Sequence, residues 1–248
     1  DEYINLALEN IEKEHICCII RSKKQPAGVL HKKEWLKKRI EEGHVFRKLN
    51  VPKATVFIEY APLKVAWVPI EGNNYMYIYC LWTLGEYRHK GYGKELLEYA
   101  IEDAKRQEKS DLCLLAHQKQ KTWLTDQEFF KRNGFKIVDE TPSGYQVLAL
   151  SFDGTYPHFK ENAKKEKIDQ QELTIFYTYQ CPYIDVTLKK IEEYCSSHQT
   201  PFSFHLINTL LEAKNLPCPM NNYAVFYQGK FITVNLLDTA YLERILKK

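Results

Sequence analysis

A short glycine-containing loop is the segment of this sequence whose residue types best fit a defined chemistry. It is spelled Arg88-His89-Lys90-Gly91-Tyr92-Gly93, and Lys94 follows directly. Two glycines let the backbone approach a ligand closely, and the flanking side chains bring positive charge to the same place. The loop precedes a segment with helical spacing of apolar residues, and N–H groups at a helix N-terminus bind phosphate groups. The loop therefore indicates a site for a diphosphate.

Two other interpretations of this loop stay open from the residues alone. A glycine pattern this short also forms a tight strand-to-helix turn that binds no ligand. A dinucleotide site would need a further glycine and a parallel strand–helix–strand beginning. The preceding residues, Ala54 to Leu84, are instead rich in β-branched and aromatic types and carry turn signals at Ala61-Pro62 and at 71–74. That pattern predicts an antiparallel meander of strands, which disfavours a dinucleotide.

The elements around the loop follow from the spacing of apolar residues. A stripe that runs from Leu96 to Ala104 predicts a helix over 93–109. The same reasoning predicts a strand at 16–20, a helix over 32–42, a strand at 112–116, a short helix over 125–133 and two strands around 142–144. Gly134 suits the left-handed cap of the short helix. The first half is therefore predicted as α/β (α+β) with a mixed, mostly antiparallel sheet.

Two segments together resemble a known family. Residues 85–97 resemble the acetyl-CoA signature of the GNAT superfamily of N-acetyltransferases. Residues 129–135 resemble the closing helix of that family, which ends in Gly-Phe, and the element order from Ile16 to Phe152 is similar as well. The resemblance implies the GNAT acyl-CoA N-acyltransferase fold. It also implies acetyl transfer from acetyl-CoA to an amine of a small molecule or peptide.

The resemblance assigns binding roles position by position. The backbone of Leu81, Trp82 and Thr83, at the end of the strand before the loop, would pair with the pantetheine arm and polarise the thioester carbonyl. The N–H groups from Arg88 to Lys94 would hold the pyrophosphate. The reaction would be direct attack of the amine on the thioester. It requires a deprotonated amine, a stabilised oxyanion and a proton for the departing thiolate.

The sequence departs from the family at the residue that commonly supplies this proton. The family's tyrosine falls on Phe130, four residues before Gly134, and phenylalanine has no hydroxyl. A thiolate with a pKa near that of free cysteine, about 8.5, can leave without a dedicated acid. Tyr79 or a water molecule is our candidate donor. Glu59 is our candidate base, with Glu71 second, although a glutamate on a strand is commonly a solvated surface residue.

The order of elements in the second half of the chain predicts a separate fold. One of its cysteines is a candidate for thiol chemistry. Its order of strand, helix, strand, helix, two strands and helix resembles a thioredoxin-like fold. Cys181 lies at the start of the first helix, where the helix N-terminus favours thiolate. Ile184 occupies the place of the second cysteine of a Cys-x-x-Cys motif, which excludes ordinary dithiol chemistry. Cys218, followed by Pro219, is a candidate partner for Cys181, and an inert cysteine in an ancillary domain is the alternative.

A polar, lysine-rich stretch after Ser151 predicts where the chain divides. We expect a GNAT acetyltransferase domain at 1–155, a linker at 156–171 and a thioredoxin-like domain at 172–248. This arrangement resembles the bacterial acetyltransferases that carry a C-terminal YoaP-like domain.

Composition excludes several classes of function. The 248 residues are 44% hydrophobic and 27% charged, which is typical of a globular protein, and the net charge of +3 is too small to indicate nucleic acid or an anionic membrane as partner. No apolar run approaches the roughly 20 residues of a membrane span. The seven cysteines lack zinc-ligand spacing. We therefore expect no metal site, reduced thiols and a cytoplasmic location.

Three functions stay open at this point. The leading one is an acetyl-CoA-dependent N-acetyltransferase. A non-catalytic acyl-CoA-binding sensor is the second, because of Phe130, and a redox-regulated protein that uses Cys181 is the third. The acceptor and the oligomeric state do not follow from the sequence.

Overall fold

The computed structural model of the chain describes residues 2–16 and 27–248. Its strands are β1 (Tyr3–Asn5), β2 (Val45–Leu49), β3 (Val56–Pro62), β4 (Ile70–Glu71), β5 (Tyr75–Thr83), β6 (Asp111–His117), β7 (Lys136–Glu140), β8 (Tyr145–Ala149), β9 (His158–Phe159), β10 (Leu173–Tyr177), β11 (Phe202–Leu206), β12 (Tyr223–Tyr227) and β13 (Lys230–Thr233). Its α-helices are α1 (Ala27–Glu41), α2 (Tyr92–Arg106), α3 (Gln127–Arg132), α4 (Tyr183–Ser197), α5 (Leu210–Lys214) and α6 (Thr239–Leu246). The strand predicted at 16–20 lies, apart from Ile16, outside the described residues.

One large sheet organises the first half of the chain. Its strand order is β1-β2-β3-β5-β6-β8-β7, and all neighbours are antiparallel except the parallel pair β5 and β6. The prediction of a mixed, mostly antiparallel sheet is confirmed. The sequence does not predict β1 or β2, because β1 has only three residues and Arg47 and Lys48 interrupt the apolar pattern of β2.

The chain between β3 and β5 departs from the predicted meander. Pro62 ends β3, and a 3-10 helix over Leu63–Val65 carries the chain out of the sheet. β4 then pairs with β9, whereas β3 and β5 pair directly with each other. The segment predicted as a linker therefore contributes a strand, and its Phe159 and Ala163 are fully buried.

Helix α2 covers one face of the large sheet. It connects the parallel strands β5 and β6, which need a crossover of this kind. Its apolar stripe, which includes Leu96, Leu97 and Ala100, packs on β3, β5 and β6. The Tyr60 hydroxyl on β3 donates to the Asp103 carboxylate on α2 at 2.5 Å. This packing fixes the first turn of α2 at the end of β5.

Helix α1 and the second half of the chain cover the opposite face. Trp35 and Leu36 of α1 belong to one continuous apolar cluster with Met220 and Phe226 of the second half. The two halves therefore share a core. The division at 1–155, 156–171 and 172–248 stays a prediction.

The second half also has a four-stranded sheet of its own. The strand order is β11-β10-β12-β13, with β10 and β11 parallel and the other neighbours antiparallel. Helices α4 and α6 pack on one face through residues that include Ile191 and Leu242. Asp238 caps α6, because its carboxylate accepts from the Tyr241 N–H.

Candidate functional site

The end of β5 faces a groove because the large sheet opens there. β5 and β6 stay paired only as far as Ile78 and Leu114, although β5 continues to Thr83. Its other edge remains paired with β3 up to Thr83. Residues 81–83 therefore have no described strand on the β6 side, and an extended ligand can pair with that edge.

A β-bulge decides which side chains of β5 face the second half of the chain. Glu59 pairs with Cys80 and Tyr60 pairs with Ile78, so Tyr79 is an extra residue in β5. Tyr79 and Cys80 consequently both pack toward the side that α1 covers.

The groove at the open edge of β5 is called the loop groove here. Its volume is about 380 Å³. It is lined by the end of β5 (81–84), by the glycine loop and the first turn of α2 (87–94), and by Asp126, Phe129, Phe130 and Arg132 at α3. The structure thus brings together all the binding residues predicted from the family resemblance.

The first turn of α2 directs unpaired backbone donors into the loop groove. The first bond of the helix runs from Glu95 N to Gly91 O at 3.1 Å. Within the described part of the chain, the N–H groups of 89–94 have no protein acceptor. His89 and Gly91 have left-handed φ angles of 58° and 88°. Such turns collect successive N–H groups on one side and form anion-binding concavities.

Cationic side chains surround the same donors. Arg88, Lys90 and Arg132 are exposed, and none of the three forms an ion pair with a residue that the structure describes. Lys94 lies 3.8 Å from Glu98, one turn along α2. The unpaired cations and N–H donors together favour a ligand with several negative charges, such as a diphosphate.

Phe130 closes the apolar end of the loop groove. The side chain is fully buried, and its ring packs edge-on against Phe129 and Phe135 at centroid distances of 5.3 and 5.1 Å. Gly134, with a φ of 92°, ends the helix behind it. The structure therefore places a ring without a hydroxyl at the position of the family's tyrosine.

Glu59 is the centre of a buried polar cluster. Its Oε2 accepts from Lys32 Nζ at 3.0 Å and from Gln180 Nε2 at 2.6 Å, and its Oε1 lies 3.2 Å from His44 Nε2. These four side chains are at most 4% exposed. We call them the Glu59 cluster. It joins β3, α1 and the second half of the chain.

The charge of Glu59 is fixed by this environment. Burial raises the pKa of the carboxyl, but the Lys32 ammonium and His44 outweigh burial and lower it to about 2. A carboxylate with so low a pKa and no solvent exposure accepts a proton poorly from an amine in an open groove. The geometry favours Glu59 as a fixed anion between the two halves, and its role as a base stays a prediction.

The Tyr79 phenol lies away from the loop groove. Its oxygen accepts a hydrogen bond from the Trp67 N–H at 2.7 Å, and its ring contacts Trp35 and His44. Burial raises the pKa of the phenol above its ordinary value. The structure does not bring this hydroxyl to the predicted binding residues. Its role as a proton donor stays a prediction that the placement does not favour.

A second groove, which we call the interdomain groove, runs between the two halves and has a volume of about 350 Å³. Trp82 and Leu84 line both grooves, so the two meet at the end of β5. The first half also contributes Lys32, Phe57, Cys80, Thr122 and Trp123. The second half contributes Gln180, Cys181, Pro182, Tyr183, Asn221, Asn222 and Leu236.

Amide side chains fix the wall that the second half provides. Asn221 accepts from the Tyr77 hydroxyl at 2.7 Å and donates to the Tyr79 carbonyl at 3.1 Å. Gln180, a member of the Glu59 cluster, also accepts from Asn222 at 2.7 Å. Asn221 therefore attaches this wall to β5, and Gln180 attaches it to Glu59 on β3.

The cysteines of the second half occupy different environments. Cys181 lines the interdomain groove together with Cys80. Cys218 is fully buried in the core that the halves share, and it forms no disulfide with a described cysteine. Burial raises the pKa of Cys218 well above its ordinary value. The candidate pair of Cys181 and Cys218 is therefore not formed, and among the described cysteines Cys80 shares a groove with Cys181.

We expect iodoacetamide to modify Cys181 in the native protein well before Cys218. The thiolate is the reacting form, and burial suppresses both thiolate formation and access at Cys218. Timed labelling followed by peptide mass spectrometry measures the two rates, and labelling in urea serves as the control in which both thiols react. Faster modification of Cys218 in the native protein would contradict this placement.

Sequence reasoning missed Lys32, His44, Gln180 and Asn221. Lys32 carries a local signal, because it lies four residues before Leu36 and hence on the apolar face of α1. The other three have no local signal, since their partners lie on distant segments of the chain.

The described residues contain neither a membrane-spanning helix nor a cluster of metal ligands. None of the described helices combines the length and the apolar character that crossing a membrane requires. Within residues 2–16 and 27–248, no group of three or more His, Cys, Asp or Glu side chains could hold a metal ion.

Comparisons with known proteins agree with this geometry. Residues 53–137 match a family model described as an acetyltransferase (GNAT) domain, and residues 201–244 match a model described as YoaP-like. A curated relative, the uncharacterized N-acetyltransferase YoaP of Bacillus subtilis strain 168, is 36% identical over 246 residues. The match covers 98% of each chain.

Two solved acetyltransferase structures are similar to about 60% of the chain. The PaiA N-acetyltransferase of Thermoplasma acidophilum, in complex with coenzyme A, is 20% identical with a TM-score of 0.41, and the match covers 60% of this chain and 98% of that one. A GNAT acetyltransferase of Brucella melitensis, in complex with acetyl-CoA, is 11% identical with a TM-score of 0.40, over 64% and 92% of the chains.

Proposed function

The chain belongs to the GNAT family of N-acetyltransferases, and from that premise we propose that it transfers an acetyl group from acetyl-CoA to a primary amine. Acetyl-CoA would bind in the loop groove with its pyrophosphate at the first turn of α2. The amine would enter through the interdomain groove, which meets the loop groove at Trp82 and Leu84.

One observation carries the acetyl-CoA site. The edge of β5 at 81–83, which no described strand pairs on the β6 side, and the N–H groups of 89–94 open into the same groove. An extended amide-containing arm can pair with the former while a pyrophosphate accepts from the latter. The ten residues proposed to bind the cosubstrate are Leu81, Trp82, Thr83, Arg88, His89, Lys90, Gly91, Tyr92, Gly93 and Lys94.

The proposed reaction needs little acid–base chemistry from the protein. The amine nitrogen attacks the thioester carbonyl carbon, a C–N bond forms, and the C–S bond breaks with its electron pair on sulfur. The ammonium loses one proton to solvent, and the thiolate is protonated from solvent or remains ionised. Donors on the open edge of β5 would stabilise the negative charge on the carbonyl oxygen.

In this proposal the two candidate catalytic residues take no part in proton transfer and instead support the wall of the interdomain groove. We assign Glu59 the role of a positioning residue, because its carboxylate holds Gln180 in the wall of the interdomain groove. Tyr79 would support the same wall through its ring and its carbonyl, which accepts from Asn221.

We expect the double variant Arg88→Ala/Lys90→Ala to bind CoA about 30-fold more weakly, which corresponds to roughly 2 kcal/mol. Both cations are exposed at the anion-binding turn and have little structural role. Isothermal titration with CoA at fixed ionic strength measures the change.

The matched control for this variant is Lys189→Ala/Lys190→Ala, which removes two exposed cations from α4. We expect CoA affinity within twofold of the wild type. Equal losses in the two variants would mean that overall charge, rather than the loop groove, attracts CoA. No binding of CoA to the wild-type protein would refute the proposed function.

We further propose that the second half is thioredoxin-like. Its strand order, with the first two strands parallel and the last two antiparallel to their neighbours, supports this, as does Cys181 beside the start of α4. A redox-regulated function is the second candidate, because Cys181 and Cys80 line the groove where the amine would bind. Loss of turnover on oxidation and its recovery with a reductant would support it.

The non-catalytic sensor stays as an alternative because of Phe130. Tight CoA binding without release of CoA thiol across a broad set of amines would support the sensor. We also propose a bacterial cytoplasm as the location, since the relative is bacterial.

A further inference from the structure

The wall of the interdomain groove defines what kind of amine fits there. We propose that the second half completes the acceptor site, and that the acceptor is a weakly basic primary amine attached to an aromatic group rather than a polycation. This inference rests on the proposed function and adds the class of substrate.

The position of the groove supports its role as the acceptor site. It meets the loop groove at Trp82 and Leu84, where the unpaired edge of β5 ends. A group bound there would lie next to the reacting end of a pantetheine arm paired with that edge. Half of the residues that line the groove belong to the second half of the chain, so the first half alone would form an open site.

Four aromatic side chains line this groove. Phe57 and Trp82 come from the large sheet. Trp123 and Tyr183 reach toward each other from opposite walls, and their ring centroids lie 5.7 Å apart. Leu236 completes the apolar surface. Rings in this arrangement favour a planar apolar group, because offset or edge-on ring contacts add about 0.5–1.5 kcal/mol to area burial.

The described polar groups that line the groove offer no negative charge to a polycationic amine. No described Asp or Glu lines it, and the neighbouring Glu59 is fully buried behind its contacts with Lys32 and Gln180. The undescribed residues 17–26 contain no Asp or Glu either. A polyamine or an aminoglycoside would lose hydration of several ammonium groups without a carboxylate to replace it.

The low pKa of Glu59 bears on the basicity of the amine. Because no described carboxylate or imidazole lines the groove, the amine would reach its neutral form by its own equilibrium. An α-amino group with a pKa of about 7.7–8.0 is roughly one-third neutral at pH 7.5, whereas a lysine amine with a pKa of about 10.4 is roughly one-thousandth neutral. The site therefore suits an amine of low basicity.

A panel of four amines tests the substrate class. Phenylalaninamide and alaninamide carry the same α-amino group with and without a ring, whereas spermidine and kanamycin are polycations. With acetyl-CoA as cosubstrate, release of CoA thiol gives kcat/KM for each amine. We expect phenylalaninamide to exceed each of the other three by about tenfold or more. Equal rates for alaninamide, or a preference for either polycation, would overturn the inference.

A matched pair of variants tests the contribution of the second half. Tyr183→Ala removes a ring from the groove, and Tyr156→Ala removes a ring that is 46% exposed and lies outside the groove. We expect Tyr183→Ala to raise KM for phenylalaninamide about tenfold without changing KM for acetyl-CoA, and Tyr156→Ala to change neither. The same small effect in both variants would refute an acceptor site walled by the second half.

A binding measurement separates failure of the inference from failure of the proposed function. Calorimetric titration of phenylalaninamide into the CoA-loaded protein reports occupancy of the groove without turnover. Binding that is lost in Tyr183→Ala, with no thiol release from any amine, would support the groove and refute the transferase. Thiol release from other amines without phenylalaninamide binding would refute only the inference.

Discussion

Replacing Glu59 by glutamine is expected to lower the free energy of unfolding by about 3–5 kcal/mol. The substitution keeps the size of the side chain but removes the negative charge that pairs with the Lys32 ammonium, which is 2% exposed. The ammonium then loses this carboxylate while it stays buried, so the charge of Glu59 no longer offsets its desolvation. Urea unfolding followed by circular dichroism, with the slope compared between variants, measures the loss.

Two further variants isolate the reason for that loss. Glu71→Gln makes the same change on an exposed glutamate that contacts His158 at the surface, and we expect a change below about 0.5 kcal/mol. Adding Lys32→Met to Glu59→Gln removes the ammonium that has lost the Glu59 carboxylate and is expected to restore part of the stability. A double variant no more stable than Glu59→Gln would contradict the explanation.

The contribution of Glu59 to stability also has a defined pH dependence. Its pKa is lowered in the folded state from 4.5 to about 2, so the unfolded chain binds its proton first as the pH falls. The stabilisation is complete above pH 4.5 and is lost between pH 4.5 and about 2. The difference between wild type and Glu59→Gln should therefore shrink over this interval, and a constant difference would contradict the assignment.

The loop groove could be predicted because its signals are local. Gly91 and the cations around it are adjacent in sequence, and the helix that follows has a regular apolar stripe. The apolar stripe of that helix packs on the large sheet, as its spacing predicts. Even so, the open edge of β5 at 81–83 is not predictable from local signals, because it depends on where β6 diverges from β5.

The interdomain groove could not be predicted because its contacts join distant parts of the chain. Gln180 donates to Glu59 across 121 positions, and Asn221 reaches Tyr77 across 144. Neither amide is distinguished from a surface residue by its neighbours in sequence. Glu59 was selected from the sequence as a carboxylate near the reacting centre, but only the fold shows that Lys32 neutralises it.

The same dependence on distant contacts gives the second large prediction, at Gly28. A Cβ at this position in the first turn of α1 would lie well inside van der Waals contact of the Pro182 carbonyl oxygen, just before α4. Because the obstacle is backbone, no side chain can move aside. We expect Gly28→Ala to destabilise the protein by about 2 kcal/mol or more. Denaturant unfolding measures this loss.

Gly28→Ala should also affect amine binding in the interdomain groove without affecting CoA binding in the loop groove. Pro182 lines the interdomain groove but not the loop groove. A displaced Pro182 would therefore raise KM for the amine and leave CoA affinity unchanged in the fraction that remains folded. Calorimetry with CoA, alongside amine kinetics at a temperature well below the unfolding transition, measures both quantities.

The control is Gly93→Ala, in the first turn of α2. A Cβ there would lie 3.5 Å from Leu81 Cδ2, an ordinary contact, and alanine favours the helix by about 0.5–1 kcal/mol over glycine. We expect its stability to stay unchanged or to rise. Equal destabilisation in the two variants would show that loss of the glycine itself, and not a collision with the second half, is responsible. If Gly28→Ala alone loses stability and amine affinity together, the close approach of α1 to α4 both holds the two halves together and shapes the acceptor site.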